Sequence, residues 1–249
     1  MALLKREVFI CFDCESTGLD PGSDKIIELA AAKFTFSGII QKFETLINPN
    51  CPIPQSSTEI HHITDDMVKG KPTINEVLPE FLKFVGQHIL VGHGIPFDIS
   101  IVTQEAKSHR IPCHLPSLTH IDTLRLARHY GQSPVNSLEY LRQHFNIPDV
   151  GAHRAMNDVT VNIEVFKNLS TNFKTTKELL EILSKPVKLK VMPLGKHKGR
   201  PFKEVPVEYL QWAVNKDFDR DLIFSLKMEL KRRKKGGMFS QASNPFLSL

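Results

Sequence analysis

The chain of 249 residues is 41% hydrophobic and 24% charged with a formal net charge of +5, the balance of an ordinary globular protein. It contains no apolar run of about 18 residues, so no membrane-spanning helix is expected. The start, MALLKREVFICF, has no small-residue cleavage site after an apolar core; no signal peptide is expected and the cytoplasm is the expected location.

Strand character begins at Val8–Cys14, where apolar side chains fill both alternating faces. Ile26–Phe36 and Lys42–Ile47 read as two further strands joined through the turn at Ser37-Gly38. Val77, Leu78, Phe81, Leu82 and Val85 give Asn75–Val85 helical spacing, and His88–Val91 is a short buried strand before Gly92. Helical patterns follow at Phe97–His109, Thr123–Tyr130, Ser137–Phe145 and Arg154–Leu169. This mixture predicts an α/β layer fold, helices packed on a central mixed sheet. A polar stretch, a short helix at Glu178–Ser184 and Lys185-Pro186 then suggest a boundary. The expected division is a domain over residues 1–172, a linker over 173–187, a small basic module over 188–232 and a flexible tail over 233–249.

Charge divides the same way. Residues 1–184 carry 17 Lys/Arg against 21 Asp/Glu, and residues 185–249 carry 15 against 6, so a net of −4 is followed by one of +9. An acidic front and basic rear predict that a nucleic acid is gripped by the rear, unless the rear is merely a basic tail. Cys11 and Cys14 form a C-x-x-C without a second pair, so they are read as small buried residues rather than a zinc or redox site.

Four acids carry the chemical case. Asp13 and Glu15 stand two apart at the C-terminal end of the first strand, so both side chains share one face at the edge where open α/β sheets bind ligands. Such a pair next to an apolar run is unfavourable unless cations lie between the carboxylates. Asp98 sits in the first turn of a helix, where an acid also complements the helix dipole. His153 and Asp158 are five apart, about 140° around a helix axis, so His153 serves best from the loop before the helix. Two hard divalent cations held by carboxylates supply both the nucleophile and the leaving-group stabilisation that phosphodiester hydrolysis requires.

Phe12-Asp13-Cys14-Glu15-Ser16-Thr17-Gly18-Leu19, Leu90-Val91-Gly92-His93-Gly94-Ile95-Pro96-Phe97-Asp98 and His153-Arg154-Ala155-Met156-Asn157-Asp158 together resemble the DEDD 3′–5′ exonuclease superfamily, in its histidine subgroup, over about residues 7–170. Ile121-Asp122-Thr123-Leu124 looks like an interior segment of that family, and Ile60–Met67 resembles its loop near the nucleotide. Arg154 stands where the tyrosine subgroup carries its aromatic residue, and Gly94 stands where many relatives have Asn. The resemblance implies a ribonuclease H-like sheet and two Mg²⁺ or Mn²⁺ ions held by Asp13, Glu15, Asp98 and Asp158. It implies His153 as general base, and Thr17, Gly18 and, more weakly, His62 as contacts to the terminal nucleotide.

The run Gly195-Lys196-His197-Lys198-Gly199-Arg200-Pro201-Phe202, followed by Tyr209-Leu210-Gln211-Trp212, is similar to the C-terminal module of exodeoxyribonuclease X-like proteins. That likeness favours DNA over RNA and makes Lys196, Lys198 and Arg200 the expected phosphate contacts, with Phe202, Tyr209 and Trp212 expected as the module's core. Lys231–Lys235 reads either as a phosphate-binding arm or as a solvated helix end. Gln241–Phe246 resembles a sliding-clamp-binding peptide, with Asn244 and Pro245 departing from the pattern. The expected function is a 3′→5′ exodeoxyribonuclease in repair, trimming or proofreading. The alternatives are an epsilon-like proofreading subunit, a 3′→5′ exoribonuclease and a non-catalytic nucleic-acid-binding protein.

Overall fold

The computed structural model describes residues 3–130, 136–149, 151 and 153–242. Two compact units emerge, Met1–Leu183 and Ser184–Leu249. The first is built on strands β1 (Phe9–Ser16), β2 (Ile26–Thr35) and β3 (Gly38–Leu46), helices α1 (Gln55–His61), α2 (Asp65–Val68) and α3 (Ile74–Val85), and strand β4 (Ile89–Gly92). Helix α4 (Pro96–Ser108), strand β5 (His120–Asp122) and helices α5 (Thr123–Tyr130), α6 (Leu138–His144), α7 (Ala155–Leu169) and α8 (Thr176–Leu183) complete it.

The sheet order is β3-β2-β1-β4-β5, with β1, β2 and β3 antiparallel to one another in turn and β4 and β5 parallel to β1. The sheet is therefore mixed and flanked by helices, as the α/β and ribonuclease H-like expectation holds. Alternation along β1 divides the core. Phe9 and Cys11 pack with Ala30, Phe34 and the α7 residues Val159, Ile163 and Phe166. Ile10, Phe12 and Cys14 point the other way, into a cluster with Phe81 of α3 and Ile101 and Val102 of α4. Burial on both faces is why the strand reads as a continuous apolar run.

Several boundaries move. β3 starts at Gly38 rather than Lys42, because Thr35 pairs directly with Gly38 across a tight turn. The exposed Ile39 and Ile40 hide that start from an alternation test. Helices α1 and α2, at seven and four residues, are too short to show a period. Residues 173–187, expected as a linker, contain α8, whose Leu179 and Leu183 are buried in the same core as α7. The first unit therefore ends at Leu183, later than the expected boundary.

The second unit holds α9 (Val207–Ala213) and α10 (Arg220–Ala242) beside two short 3₁₀ turns at Gly195–His197 and Phe202–Glu204. Its small core comprises Met192, Phe202, Val205, Leu210, Ala213, Leu222 and Leu226. Residues 233–242, expected as part of a flexible tail, continue α10. Arg233 is no free arm: it pairs with Glu229 and donates from Nη2 to the carbonyls of Phe202, Lys203 and Val205. Among the described residues no helix is long and apolar enough to cross a membrane.

Candidate active site

Asp13, Glu15 and Asp158 converge. One carboxylate oxygen from each lies within 4.8 Å of the others, although Asp158 is far along the chain from the strand pair. The parity of β1 turns Asp13 and Glu15 toward the face that α7 covers, and Asp158 lies in the first turn of α7. Asp98 stands outside that triplet but beside it, and is the strongest charge neighbour of Asp13. Its Oδ1 accepts hydrogen bonds from the Cys14 backbone N–H and Sγ, both at 3.2 Å. β4 last pairs with β1 at Cys11, so the carboxylate takes over the edge of β1 beyond the end of the parallel partner.

The cluster is electrostatically costly. Shielding from water, then Asp98, Glu15, Asp158 and Glu28, raise Asp13 well above the usual carboxylate range. Shielding and the charges of Asp158, Glu28 and Asp98 push Glu15 up to about 8. Burial lifts Asp98 to about 7 against the two bonds from Cys14. Shielding lifts Asp158 to about 6 against the opposing influence of His153. Among the described residues no Lys, Arg or His lies within ion-pair distance of these four acids. Oxygen donors crowded together with no ion-paired cation among the described residues suit hard divalent cations, so the donor set fits Mg²⁺ or Mn²⁺.

His153 lies in the loop before α7 with a positive φ of 60°, and its backbone N–H donates to Asp158 Oδ2 at 3.0 Å. Its side chain is exposed and lines a cavity of about 310 Å³ together with Asp158, Tyr140 and Arg142. Helix α7 has no side-chain cap from its own N-terminal loop. Its first N–H, on Ala155, instead donates to Glu28 Oε2 of β2 at 3.0 Å, and Arg154 clasps the same carboxylate, Nη2 to Oε1 at 2.7 Å.

Glu28 is the residue that sequence reasoning missed. It is 1% exposed and faces Glu15 across the β1–β2 pair. A lone acid in the apolar run Ile26–Ala32 was the available signal, because a fully buried carboxylate requires a partner. Asp122 is a support of a similar kind: its Oδ1 accepts from the N–H groups of Gly94 and Leu124, both at 2.9 Å. Gly94, at φ +78°, makes the left-handed turn that leads into α4 and Asp98.

Other expected contacts are placed differently. Thr17 is 6% exposed and its hydroxyl is committed, donating to Asp24 Oδ1 and accepting from the Lys25 N–H. It therefore orders the loop rather than offering that hydroxyl to a nucleotide, while Gly18 is partly open beside it. His62 is exposed and caps α1 in a left-handed conformation. Its neighbour His61 is the buried imidazole, held through Nδ1 by the Ile63 N–H, with Nε2 unpartnered among the described residues. Lys196, Lys198 and Arg200 are exposed and belong to the second unit. The expected clamp peptide at Gln241–Phe246 falls at the end of α10 and beyond, where residues 243–249 lie outside the described residues.

Converging carboxylates at the end of the central strand of a mixed sheet form a donor set suited to the divalent cations of a phosphodiester hydrolase. Residues 10–166 match the exonuclease family (RNase T). The DNA polymerase III epsilon subunit of Aquifex aeolicus is 39% identical over 160 residues, 64% of this chain and 78% of that protein. The PolC-type DNA polymerase III of Clostridium perfringens is 35% identical over 175 residues, 70% of this chain but only 12% of that much longer protein. Among solved structures, exonuclease X in complex with 5′ overhanging duplex DNA is similar with a TM-score of 0.55 and 24% identity, covering 70% of this chain and 98% of that one. Residues 177–230 match a second family, named for a quorum-sensing-regulated virulence factor, a name that specifies no chemistry. The chain belongs to the exonuclease family, with the epsilon-like features read from its motifs, and it shares the fold of exonuclease X.

Proposed function

We propose that the protein is a 3′→5′ exodeoxyribonuclease that releases 5′-mononucleotides, with the first unit, ending at Leu183, as the nuclease domain and the second as a DNA-contacting module. The observation that carries this reading is the meeting of Asp13, Glu15 and Asp158 at one point, with Asp98 adjacent. These four residues would hold two Mg²⁺ or Mn²⁺ ions. When bound, the ions neutralise the crowded carboxylates, make water a stronger nucleophile and stabilise charge on the departing oxygen.

His153 takes a proton from the attacking water as the water oxygen bonds to phosphorus. The bond from phosphorus to the 3′ oxygen breaks, its electron pair stays on that oxygen, and solvent protonates it. Exposure to the cavity lets His153 pass its proton on to water. Gly18 and His62 border the terminal nucleotide, Thr17 orders the loop that carries Gly18, and Lys196, Lys198 and Arg200 contact phosphates. The similarity to the epsilon subunit and to exonuclease X supports DNA as substrate.

The decisive test uses 3′- and 5′-labelled single- and double-stranded DNA and RNA with Mg²⁺ or with chelator. Mononucleotides released from the 3′ end of DNA, and only with the ion, are expected. Cleavage restricted to RNA, or products released from the 5′ end, overturns the reading. The identity to the epsilon subunit also supports a second reading, a proofreading subunit of a replicative polymerase. Removal of a mismatched 3′ terminus while bound to polymerase is its test.

A further inference from the structure

Trp212 is not in the core of the second unit. It is 50% exposed, whereas Leu210 and Ala213 of the same helix are fully buried. Tyr209 and Trp212 are three residues apart on α9 and so share a helix face, with ring centroids 5.2 Å apart and planes tilted by 40°. Each ring carries a cation. Lys196 Nζ lies 5.2 Å from the Tyr209 centroid and Lys216 Nζ lies 5.2 Å from that of Trp212. The basic turn is packed directly on Tyr209: a Cβ added to Gly195, at φ +73°, would sit 2.7 Å from its hydroxyl oxygen. The ring of His197 meets Tyr209 edge-on at 4.6 Å.

Charge selects the kind of ligand. Among the described residues none of Lys196, Lys198, Arg200 and Lys216 is ion-paired with a carboxylate, and all four are exposed. A half-exposed indole costs apolar hydration that burial would remove, and an aromatic pair between unpaired cations suits a chain of flat bases joined by phosphates. A duplex offers phosphates but keeps its base faces stacked on one another. An unpaired strand offers both.

We propose that Tyr209 and Trp212, flanked by Lys196 and Lys216, form a stacking surface for single-stranded DNA. The choice of DNA rests on the exonuclease reading above; the stacking surface stands on the geometry of the second unit alone. It places the grip on unpaired bases, beyond the phosphate contacts assigned to Lys196, Lys198 and Arg200.

Trp212 is the sole tryptophan of the chain, so its fluorescence reports this surface and no other. The full chain is titrated with oligodeoxythymidylate in chelator, which separates binding from cleavage. Saturable quenching that weakens as salt rises is expected, with a blunt duplex of equal length quenching several-fold less well. Anisotropy of a labelled oligonucleotide should show Trp212→Ala weakening binding about tenfold or more, in the range of one lost base stack. Lys196→Glu combined with Lys216→Glu should reduce the affinity measured by quenching, with circular dichroism confirming that each variant is folded. Binding seen by anisotropy without any quenching overturns the proposal. So does unchanged affinity in Trp212→Ala, equal quenching by duplex, or clearly tighter quenching by oligouridylate. Cleavage of the same oligonucleotide is measured separately with Mg²⁺, so a chain that stacks but does not cut refutes the nuclease mechanism and leaves this inference standing.

Discussion

Arg154 and Glu28, 126 residues apart, form a two-pronged pair: Arg154 Nη2 lies 2.7 Å from Glu28 Oε1, and its Nε lies 3.2 Å from both carboxylate oxygens. The same carboxylate accepts the N–H of Ala155, so β2 fixes the start of the helix that carries Asp158 and the loop that carries His153. Arg154→Ala leaves Glu28 buried without its charged partner, with only the Ala155 N–H still bonded to it. The expected cost is about 3 kcal/mol in chemical denaturation, the low end for a broken buried pair, because the Arg154 side chain is 38% exposed. A loss below about 0.5 kcal/mol, the usual limit for a surface substitution, would falsify this account of the pair.

Asp13 stands among like charges, so function and stability conflict there. Asp13→Asn is expected to lower nuclease activity by several orders of magnitude while raising the melting temperature of the metal-free protein. A calorimetric scan in chelator and a gel assay of the same sample test both halves. A variant that melts lower than the parent contradicts the electrostatic argument.

The raised carboxyls also set a pH dependence. In the folded chain Glu15 titrates at about 8 and Asp98 at about 7, against ordinary values of 4.5 and 3.8. Both bind protons more tightly when folded, so their contribution to stability is complete at low pH and is lost as pH rises through the folded values. His93, partly buried and lowered to about 4 by desolvation, acts in the opposite direction, but only below its ordinary 6.5. Between about pH 6.5 and 8 the carboxyls dominate. The metal-free melting temperature should fall across that window, Glu15→Gln should flatten the fall, and Mg²⁺ should raise the melting temperature more at pH 8 than at pH 5. A metal-free melting temperature that climbs from 6.5 to 8 rules this out.

His153 touches the cavity but is no member of the carboxylate triplet. His153→Ala is therefore expected to slow cleavage by about 10²–10⁴-fold, the usual range for a general base. The Mg²⁺-induced rise in melting temperature should be unchanged. Loss of that rise would assign His153 to ion binding instead.

How much of this was legible in the chain follows from the range of each interaction. The parity of Asp13 and Glu15 on one strand face, the place of Asp98 in a first helical turn and the position of His153 ahead of α7 all follow from periods of two and 3.6 residues, which neighbouring residues set. What no spacing encodes is which distant element lies opposite. Only the tertiary structure turned Asp98 toward Cys14 across 84 residues, seated Arg154 on Glu28, and committed the hydroxyl of Thr17 within its own loop. It also left Trp212 half-exposed, because Leu210 and Ala213 fill the small core while the face of the seven-residue helix that carries Trp212 meets Tyr209 and Lys216 rather than that core. The sequence determined the chemistry on offer and its local direction. Long-range packing, which depends on how the sheet is ordered, decided which of those groups meet.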